Sequence, residues 1–194
     1  YMTKFGFHLE DMPDYLSLSL GTNTSTPLDL ARAYAVFANG GYLVDPYVIS
    51  RIELESGSIV DQRQPSTLRE VIDEELAFMI NDVLRDATVR GSSKQIKSLG
   101  RVDLSGKTGS TNEDVWFCGY NRHLVSLLWL GYDDHRPLHY LASHLALPVW
   151  KSTFSSMMDL VSEAPQPLPK SMVRIRINDA TGVVTDYSDN EGVF

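Results

Sequence analysis

Three strand-like runs follow one another with little between them: Arg101–Ser110, Val115–Tyr120 and Leu124–Tyr132. Neighbouring parallel strands need a crossover of about a dozen residues or more, usually a helix, whereas antiparallel strands close through a short turn. Asn121-Arg122-His123 is a gap of hairpin length. The block therefore argues against a doubly wound nucleotide fold and for a mostly antiparallel sheet. Helical patterns stand on both sides of it, so the expected class is α+β, an antiparallel sheet flanked by helices.

The first helix is entered through Thr26-Pro27-Leu28-Asp29. Thr26 can cap it, Pro27 suits the first helical position, and Asp29 can reach back as in a capping box. Leu28, Ala31, Ala35 and Ala38 form one stripe with Leu30, Tyr34 and Phe37 beside it, which predicts a largely buried helix. Asn39-Gly40-Gly41 must stop it, since Asn and Gly tolerate positive φ. Tyr47–Leu54 alternates like a strand, Ser56-Gly57 turns it, and Ser58–Asp61 can pair back. Pro65 breaks the chain before a second helix, Asp73–Ala87, with Leu76, Met79, Ile80, Val83 and Leu84 as its inward stripe. Asp73, Glu74 and Glu75 put negative charge at its positive end. Gly91-Ser92-Ser93-Lys94 reads as a loop.

A third helix is expected from Pro148 to Glu163, burying Val149, Phe154, Met157, Met158 and Val161. The stretch from Ala164 to Pro169 holds three prolines and makes a stiff linker. Beyond it, Met172–Ile177, a turn at Asp179-Ala180-Thr181-Gly182 and Val183-Val184 form one more small hairpin. The expected division is a main body, 1–164, and a Pro-rich linker with a hairpin extension, 165–194.

Composition narrows the function classes. The chain has 194 residues, 43% of them hydrophobic, enough for one domain or a large piece of one and too apolar for disorder. Its net charge of −8, without a Lys/Arg cluster, makes nucleic acid a poor partner. No apolar run approaches the roughly 20 residues of a membrane span, and no signal peptide opens the chain. The single cysteine, Cys118, excludes an internal disulfide framework. Tyr1 in place of an initiating Met points to a fragment.

The stretch richest in chemistry is Ser105-Gly106-Lys107-Thr108-Gly109-Ser110-Thr111-Asn112. Gly-Lys-Thr ends a phosphate-binding loop, but the opening glycine of that motif would fall where Arg101 stands, and a strand follows where a helix is required. The alternative is the Lys-Thr-Gly strand of penicillin-recognising serine enzymes. Alternation puts Lys107 and Gly109 on one face and Thr108 and Ser110 on the other, so a ligand touching all four must lie along the strand edge. Gly109 lets it approach closely. Lys107 and the two hydroxyls can meet a carboxylate, and the Ser110 N–H can donate to a developing oxyanion. A named tripeptide arises by chance in a chain this long on the order of a few per cent of the time.

Longer blocks strengthen the match. Thr26–Gly41 followed by Tyr42-Leu43-Val44-Asp45-Pro46, Ser105–Asn112 followed by Trp116-Phe117-Cys118-Gly119-Tyr120, and Trp129–Asp134 followed by Arg136-Pro137 together resemble the class A penicillin-binding proteins, the bifunctional peptidoglycan synthases. The closing Val173–Ile177 with Asp179-Ala180-Thr181-Gly182 is similar to the tail of the 1a type. The likeness runs from about Tyr15 to Phe194.

Two departures stand out. Only Glu113-Asp114-Val115 separate Thr111-Asn112 from Trp116-Phe117, one or two residues fewer than usual in the family, and Leu141–Leu147 replaces a glycine-rich segment. Moreover, no serine here has lysine three positions on. Ser188-Asp189-Asn190 and Ser110-Thr111-Asn112 match Ser-x-Asn, but both stand in the wrong order and read as turn or strand residues. The resemblance therefore puts the nucleophile with its Ser-x-x-Lys base, and the true Ser-x-Asn, upstream of Tyr1, and makes this chain the C-terminal part of a transpeptidase domain.

What the resemblance implies is a serine D,D-transpeptidase that cross-links peptidoglycan stem peptides and is acylated by β-lactams. Lys107 and Ser110 would be its catalytic contributions, and Thr108, Gly109, Ser110, Thr111 and Trp116 its substrate contacts. No metal or organic cofactor is implied. The partners would be the stem peptide, β-lactams and the N-terminal part of the same protein. That parent would also carry a glycosyltransferase and would be anchored in the inner membrane by a segment absent here, with the domain on the periplasmic face. Other readings are a β-lactam-binding sensor module without turnover, or a serine β-lactamase, which the long helix and tail fit badly.

Remaining candidates read as structural. His135, His139 and His144 are spaced like metal ligands without convincing acidic or cysteine partners and suit a solvated loop. Cys118, between Phe117 and Gly119, suits a small core residue. Trp116, Trp129 and Trp150 suit core or groove-wall positions, and Asn23-Thr24-Ser25 matches a glycosylation acceptor.

Overall fold

The computed structural model describes the whole chain except residues 9, 11, 13, 65–67, 179–180, 186–191 and 194, and gives the backbone alone for 192–193. Helix α1 spans Pro27–Ala38. The Thr26 hydroxyl accepts the Asp29 N–H at 3.1 Å and donates to the Asp29 carboxylate at 2.6 Å, so the expected box closes side chain to side chain. Gly41 ends the turn with φ +115°, and its carbonyl accepts the N–H groups of Val71 and Ile72. A Cβ on Gly41 would lie 2.2 Å from the Ile72 carbonyl oxygen, so only glycine allows this approach.

Short strands β1 (Tyr42–Leu43) and β4 (Arg69–Glu70) pair across an exposed antiparallel hairpin, β2 (Arg51–Glu53) and β3 (Ile59–Gln62). The strand expected over Tyr47–Leu54 is thus only Arg51–Glu53. Its alternation has no core to face, for Val48 and Ile49 are solvent-exposed and Tyr47 instead lies under the Arg63 guanidinium. The Pro65 break lies outside the described residues.

Helix α2 spans Glu74–Val89, capped by the Asp73 carboxylate, which accepts the Leu76 N–H. Its inward face differs from the expected stripe. Ala77, Phe78, Asn81 and Thr88 are buried, while Met79 and Val83 are exposed. Likewise α1 buries Ala33, Val36 and Ala38, and Leu28 faces solvent. On α2 the apolar spacing misplaces the buried face because Asn81 and Thr88 turn inward to bond Ser105 and Leu104; on α1, Ala38 of the expected stripe is buried together with Ala33 and Val36.

The sheet is β5 (Ser105–Ser110), β6 (Asp114–Tyr120) and β7 (Val125–Gly131), in that order and antiparallel throughout. Residues 101–104, expected in the strand, lie outside it. There the Asp103 carboxylate gathers the Arg101 guanidinium, the Asn121 amide and the Ala164 N–H, a knot that ends the ladder. Burial by itself would raise the Asp103 pKa, but these hydrogen bonds outweigh it and hold the carboxyl below its usual range.

Helix α3 spans Ala146–Met157, two residues earlier at its start than Pro148 and shorter than expected, because a 3-10 turn, Met158–Leu160, takes over. Pro148 is tolerated in the first turn, where its missing N–H has no helical partner to lose. Ala146, Leu147, Trp150 and Phe154 are buried in the core; Val149 is exposed. The Trp150 ring stacks on Phe154 at 4.8 Å, meets Phe117 edge-on at 5.0 Å, and donates its N–H to Ser126 O. A Cβ on Gly119 would fall 2.3 Å from the Trp150 ring, so that glycine lets α3 seat on β6.

The sheet therefore carries α1 and α2 on one face and α3 on the other. One core, around Ile96, Leu104, Val115, Phe117, Leu147, Trp150 and Phe154, fills the α3 side; a second, around Val36, Leu43, Val71, Ile72 and Ala77, joins α1 to α2. After residue 164 the chain packs back, with the Gln166 amide donating to the Phe37 and Ala38 carbonyls. Of the expected closing hairpin, only β8 (Ile177–Asn178) is a strand. It pairs with β9 (Gly192–Val193) and makes a single bridge from Ile177 to Val184. Asp179, Ala180 and Ser188-Asp189-Asn190 lie outside the described residues.

Candidate active site at the edge of the sheet

Strand β5 is an edge strand: β6 pairs one side of it, and no strand among the described residues pairs the other. It is anchored at its start and open at its end. The Ser105 hydroxyl is fully buried and donates to the Asn81 side-chain oxygen at 2.9 Å, and the Thr88 hydroxyl donates to Leu104 O at 2.9 Å. Gly106 is buried as well, and then the strand emerges, with Lys107 and Ser110 exposed and Thr108 and Gly109 half-buried.

Pairing fixes which face each residue takes. Lys107 stands opposite Cys118 and Gly109 opposite Trp116, while Thr108 stands opposite Phe117 and Ser110 opposite Val115. Facing pairs share a side of an antiparallel sheet, so Thr108 and Ser110 share the α3 side and Lys107 and Gly109 the α1–α2 side. Along the solvent edge all four are reachable from one direction.

The hydroxyls are already engaged. Ser110 Oγ accepts the Ala142 N–H at 2.9 Å, and Thr108 Oγ1 lies 2.9 Å from Ser92 Oγ. The Lys107 ammonium donates to Thr108 O at 2.8 Å. A Cβ on Gly109 would meet the Trp116 Cβ at 3.4 Å, an ordinary contact, so the fold does not require glycine there.

Thr111 differs from the others. Its hydroxyl accepts the N–H groups of Glu113 and Asp114 and donates to the Asp114 carboxylate at 2.8 Å, closing the short β5–β6 turn. Trp116 lies against Trp129 with ring centroids 6.0 Å apart, and Trp129 donates its N–H to Asp114. A cleft of about 410 Å³ opens just past the strand, lined by Thr111, Asn112, Pro137, His139, Tyr140 and Leu141. A larger hollow of about 580 Å³, between the 3-10 turn Lys94–Leu99 and α3, holds none of the β5 residues.

Burial pushes the Cys118 thiol pKa up, which suits a packed residue and not a nucleophile. His135 lies 3.4 Å from the Glu113 carboxylate on the surface, His139 lines the cleft, and His144 is exposed. Among the described residues, no three His, Cys, Asp or Glu side chains are grouped to hold a metal ion, and no helix is long and apolar enough to cross a membrane.

Sequence reasoning missed Ser92 and the Ala142 amide. The first lies in a polar loop without pattern, and the second is a backbone group 32 residues beyond Ser110 in sequence. Neither leaves a local signal.

Comparison with known proteins identifies the family. A family model described as the penicillin binding protein transpeptidase domain matches residues 12–134. The chain is 31% identical to penicillin-binding protein 1A of Pseudomonas aeruginosa, over 94% of this chain and 29% of that protein. To the Vibrio cholerae protein of the same name it is 30% identical, over 100% of this chain and 30% of that one. The solved structure of penicillin-binding protein 1A from Haemophilus influenzae superposes with a TM-score of 0.87 at 27% identity, covering 95% of this chain and 34% of that one. The chain thus spans less than a third of the length of these two relatives.

Proposed function

Because this chain belongs to the penicillin-binding protein transpeptidase family, we propose that it supplies the substrate-gripping edge of a serine D,D-transpeptidase. The domain would cross-link peptidoglycan stem peptides and be acylated by β-lactams. In that reaction a serine hydroxyl adds to the carbonyl of the penultimate D-Ala. The terminal D-Ala leaves as its amine, and the acyl group passes to an amine of a neighbouring strand. No serine of this chain has the required lysine three positions on. The reading therefore puts nucleophile and base in a part of the protein preceding this one, together with a glycosyltransferase and a membrane anchor on the periplasmic side. Residues 1–164 would complete the transpeptidase domain and 165–194 would be an extension of it.

The observation that carries the reading is the pair of engaged hydroxyls on an otherwise open strand edge. Ser110 Oγ accepts a backbone N–H, so its own proton remains available to donate. A carboxylate only accepts hydrogen bonds, and two donors from Thr108 and Ser110, with the Lys107 charge beside them, suit the terminal carboxylate of a peptide or the matching group of a penicillin. The Ser110 amide would form half of the oxyanion hole, with the nucleophile's own amide as the other half. Thr111 would contribute through the turn it closes, and Trp116 would wall the groove beside Gly109.

The test is Thr108→Val in the complete domain, read as the acylation rate with a fluorescent penicillin. A hydrogen bond to a charged group contributes about 1.5–3 kcal/mol, roughly ten- to a hundredfold in rate if expressed in the transition state. A folded variant that is acylated at the original rate would remove Thr108 from the carboxylate site.

A further inference from the structure

We propose that Ser92 is a positioning residue for the Thr108 hydroxyl: it donates a hydrogen bond to Thr108 and so leaves the Thr108 proton pointing at a bound carboxylate. The inference rests on the transpeptidase reading above and assigns a role to a residue outside the strand.

The contact is a hydroxyl pair, Ser92 Oγ to Thr108 Oγ1, 2.9 Å apart. Either oxygen can be the donor when the site is empty. A bound anion removes that freedom, because a carboxylate oxygen can only accept. Thr108 must then donate outward, and the one arrangement that keeps both hydrogen bonds has Ser92 donating to Thr108. A donor whose oxygen itself accepts a hydrogen bond is polarised and strengthened.

A surface serine could make such a contact by accident, but the backbone around Ser92 is held in place. Gly91 lies so close to the last turn of α2 that a Cβ on it would fall 2.8 Å from the Ala87 Cα. Ser93 is fully buried and gives its N–H to Ala87 O, and its own carbonyl accepts the Ile96 N–H. Ser92 is thus delivered by a fixed corner between α2 and the 3-10 turn. The same corner continues the series of contacts that seat β5 on α2, Asn81 to Ser105 and Thr88 to Leu104. Those two hold the buried start of the strand; Ser92 meets the strand where it is open.

The experiment measures second-order acylation of the complete domain by a penicillin and by the methyl ester of the same penicillin, which lacks the carboxylate charge. Ser92→Ala should slow the acid by about three- to tenfold, the equivalent of one neutral hydrogen bond, and slow the ester less, since its uncharged oxygens accept more weakly. Ser92→Thr should restore the acid rate, and Ser92→Cys, with a similar volume and a weak donor, should fall between. In a Thr108→Val background Ser92→Ala should add nothing. An unchanged acid rate in folded Ser92→Ala, or equal losses for acid and ester, would overturn the proposal while Thr108→Val still slowed the acid. If Thr108→Val itself had no effect, the carboxylate site would be misassigned and this inference would fall with it.

Discussion

Ser110 Oγ accepts the backbone N–H of Ala142 at 2.9 Å, tying the open end of β5 to the segment that leads into α3. Ala142 is fully buried, so this N–H has no water to fall back on. The same segment returns a second bond to the hairpin, Leu138 N–H to Asn112 O at 2.8 Å. The cleft beyond the strand takes its shape from these two contacts, since Asn112 and the Pro137–Leu141 stretch line it.

Ser110→Ala is therefore expected to act twice. It removes the proposed carboxylate donor and leaves a buried N–H unpaired, a penalty of about 1–3 kcal/mol. In the complete domain, acylation should fall and amide hydrogen exchange at Ala142 should speed up together. Slower acylation with unchanged exchange at Ala142 would mean that the loop is held by other contacts.

Gly109 should be dispensable for the fold and not for the ligand. A Cβ there makes an ordinary contact with Trp116. Gly109→Val should keep the melting temperature within a few degrees while losing acylation by a penicillin, because its branches occupy the strand edge. Equal loss of fold would make the glycine structural.

Asp103 should be a pH-sensitive rivet. Its carboxylate is buried, paired with Arg101, and bonded to Asn121 and the Ala164 N–H. Removing one partner of a buried pair typically costs about 3–5 kcal/mol, so Asp103→Ala should unfold at markedly lower denaturant. Its pKa in the folded protein is lowered. The stabilisation is therefore fully present above the unfolded-chain value of about 3.9 and is lost as pH falls through the lower folded value. Denaturant titrations at neutral and acid pH should show the wild type losing this advantage over Asp103→Asn; a constant difference across that range would refute the assignment.

If, as proposed, the nucleophile lies outside these residues, the chain by itself should form no stable adduct with a fluorescent penicillin, since covalent catalysis needs the serine and its base within hydrogen-bond reach. The exposed Met79 and Val83 on α2 and Leu28 on α1 should also make it poorly soluble alone. Co-expression with the preceding part of a transpeptidase domain should restore labelling, on that part. Mass spectrometry locating the label on a serine of these 194 residues would contradict the proposed location of the nucleophile.

Much of the architecture is legible in the chain because its signals are local. Thr26 starts α1 through its hydroxyl's bonds to Asp29, Pro27 through its preset φ, and Gly40 and Gly41 stop it at positive φ, all within a few residues. The spacing of the three runs between Arg101 and Tyr132 leaves no room for crossover helices, and the antiparallel order β5-β6-β7 follows. Alternation along β5 is likewise enough to separate Lys107 and Gly109 from Thr108 and Ser110.

What the chain alone leaves open is which face each helix buries and what each hydroxyl meets. On α2 the apolar stripe suggests Met79 and Val83 as core, yet Asn81 and Thr88 are buried in their place because they bond Ser105 and Leu104. Residues 101–104 read as strand until Arg101, Asn121 and Ala164 converge on Asp103. Ser92 and Ala142 reach Thr108 and Ser110 only when the loop after α2 and the segment before α3 are brought against the edge of the sheet. Local sequence determined the elements, their turns and the alternation of β5, since those depend on φ, ψ and spacing within a few residues. Tertiary structure decided the burial and hydrogen-bonding of the polar groups, since a buried donor must find its acceptor wherever in the chain that acceptor lies.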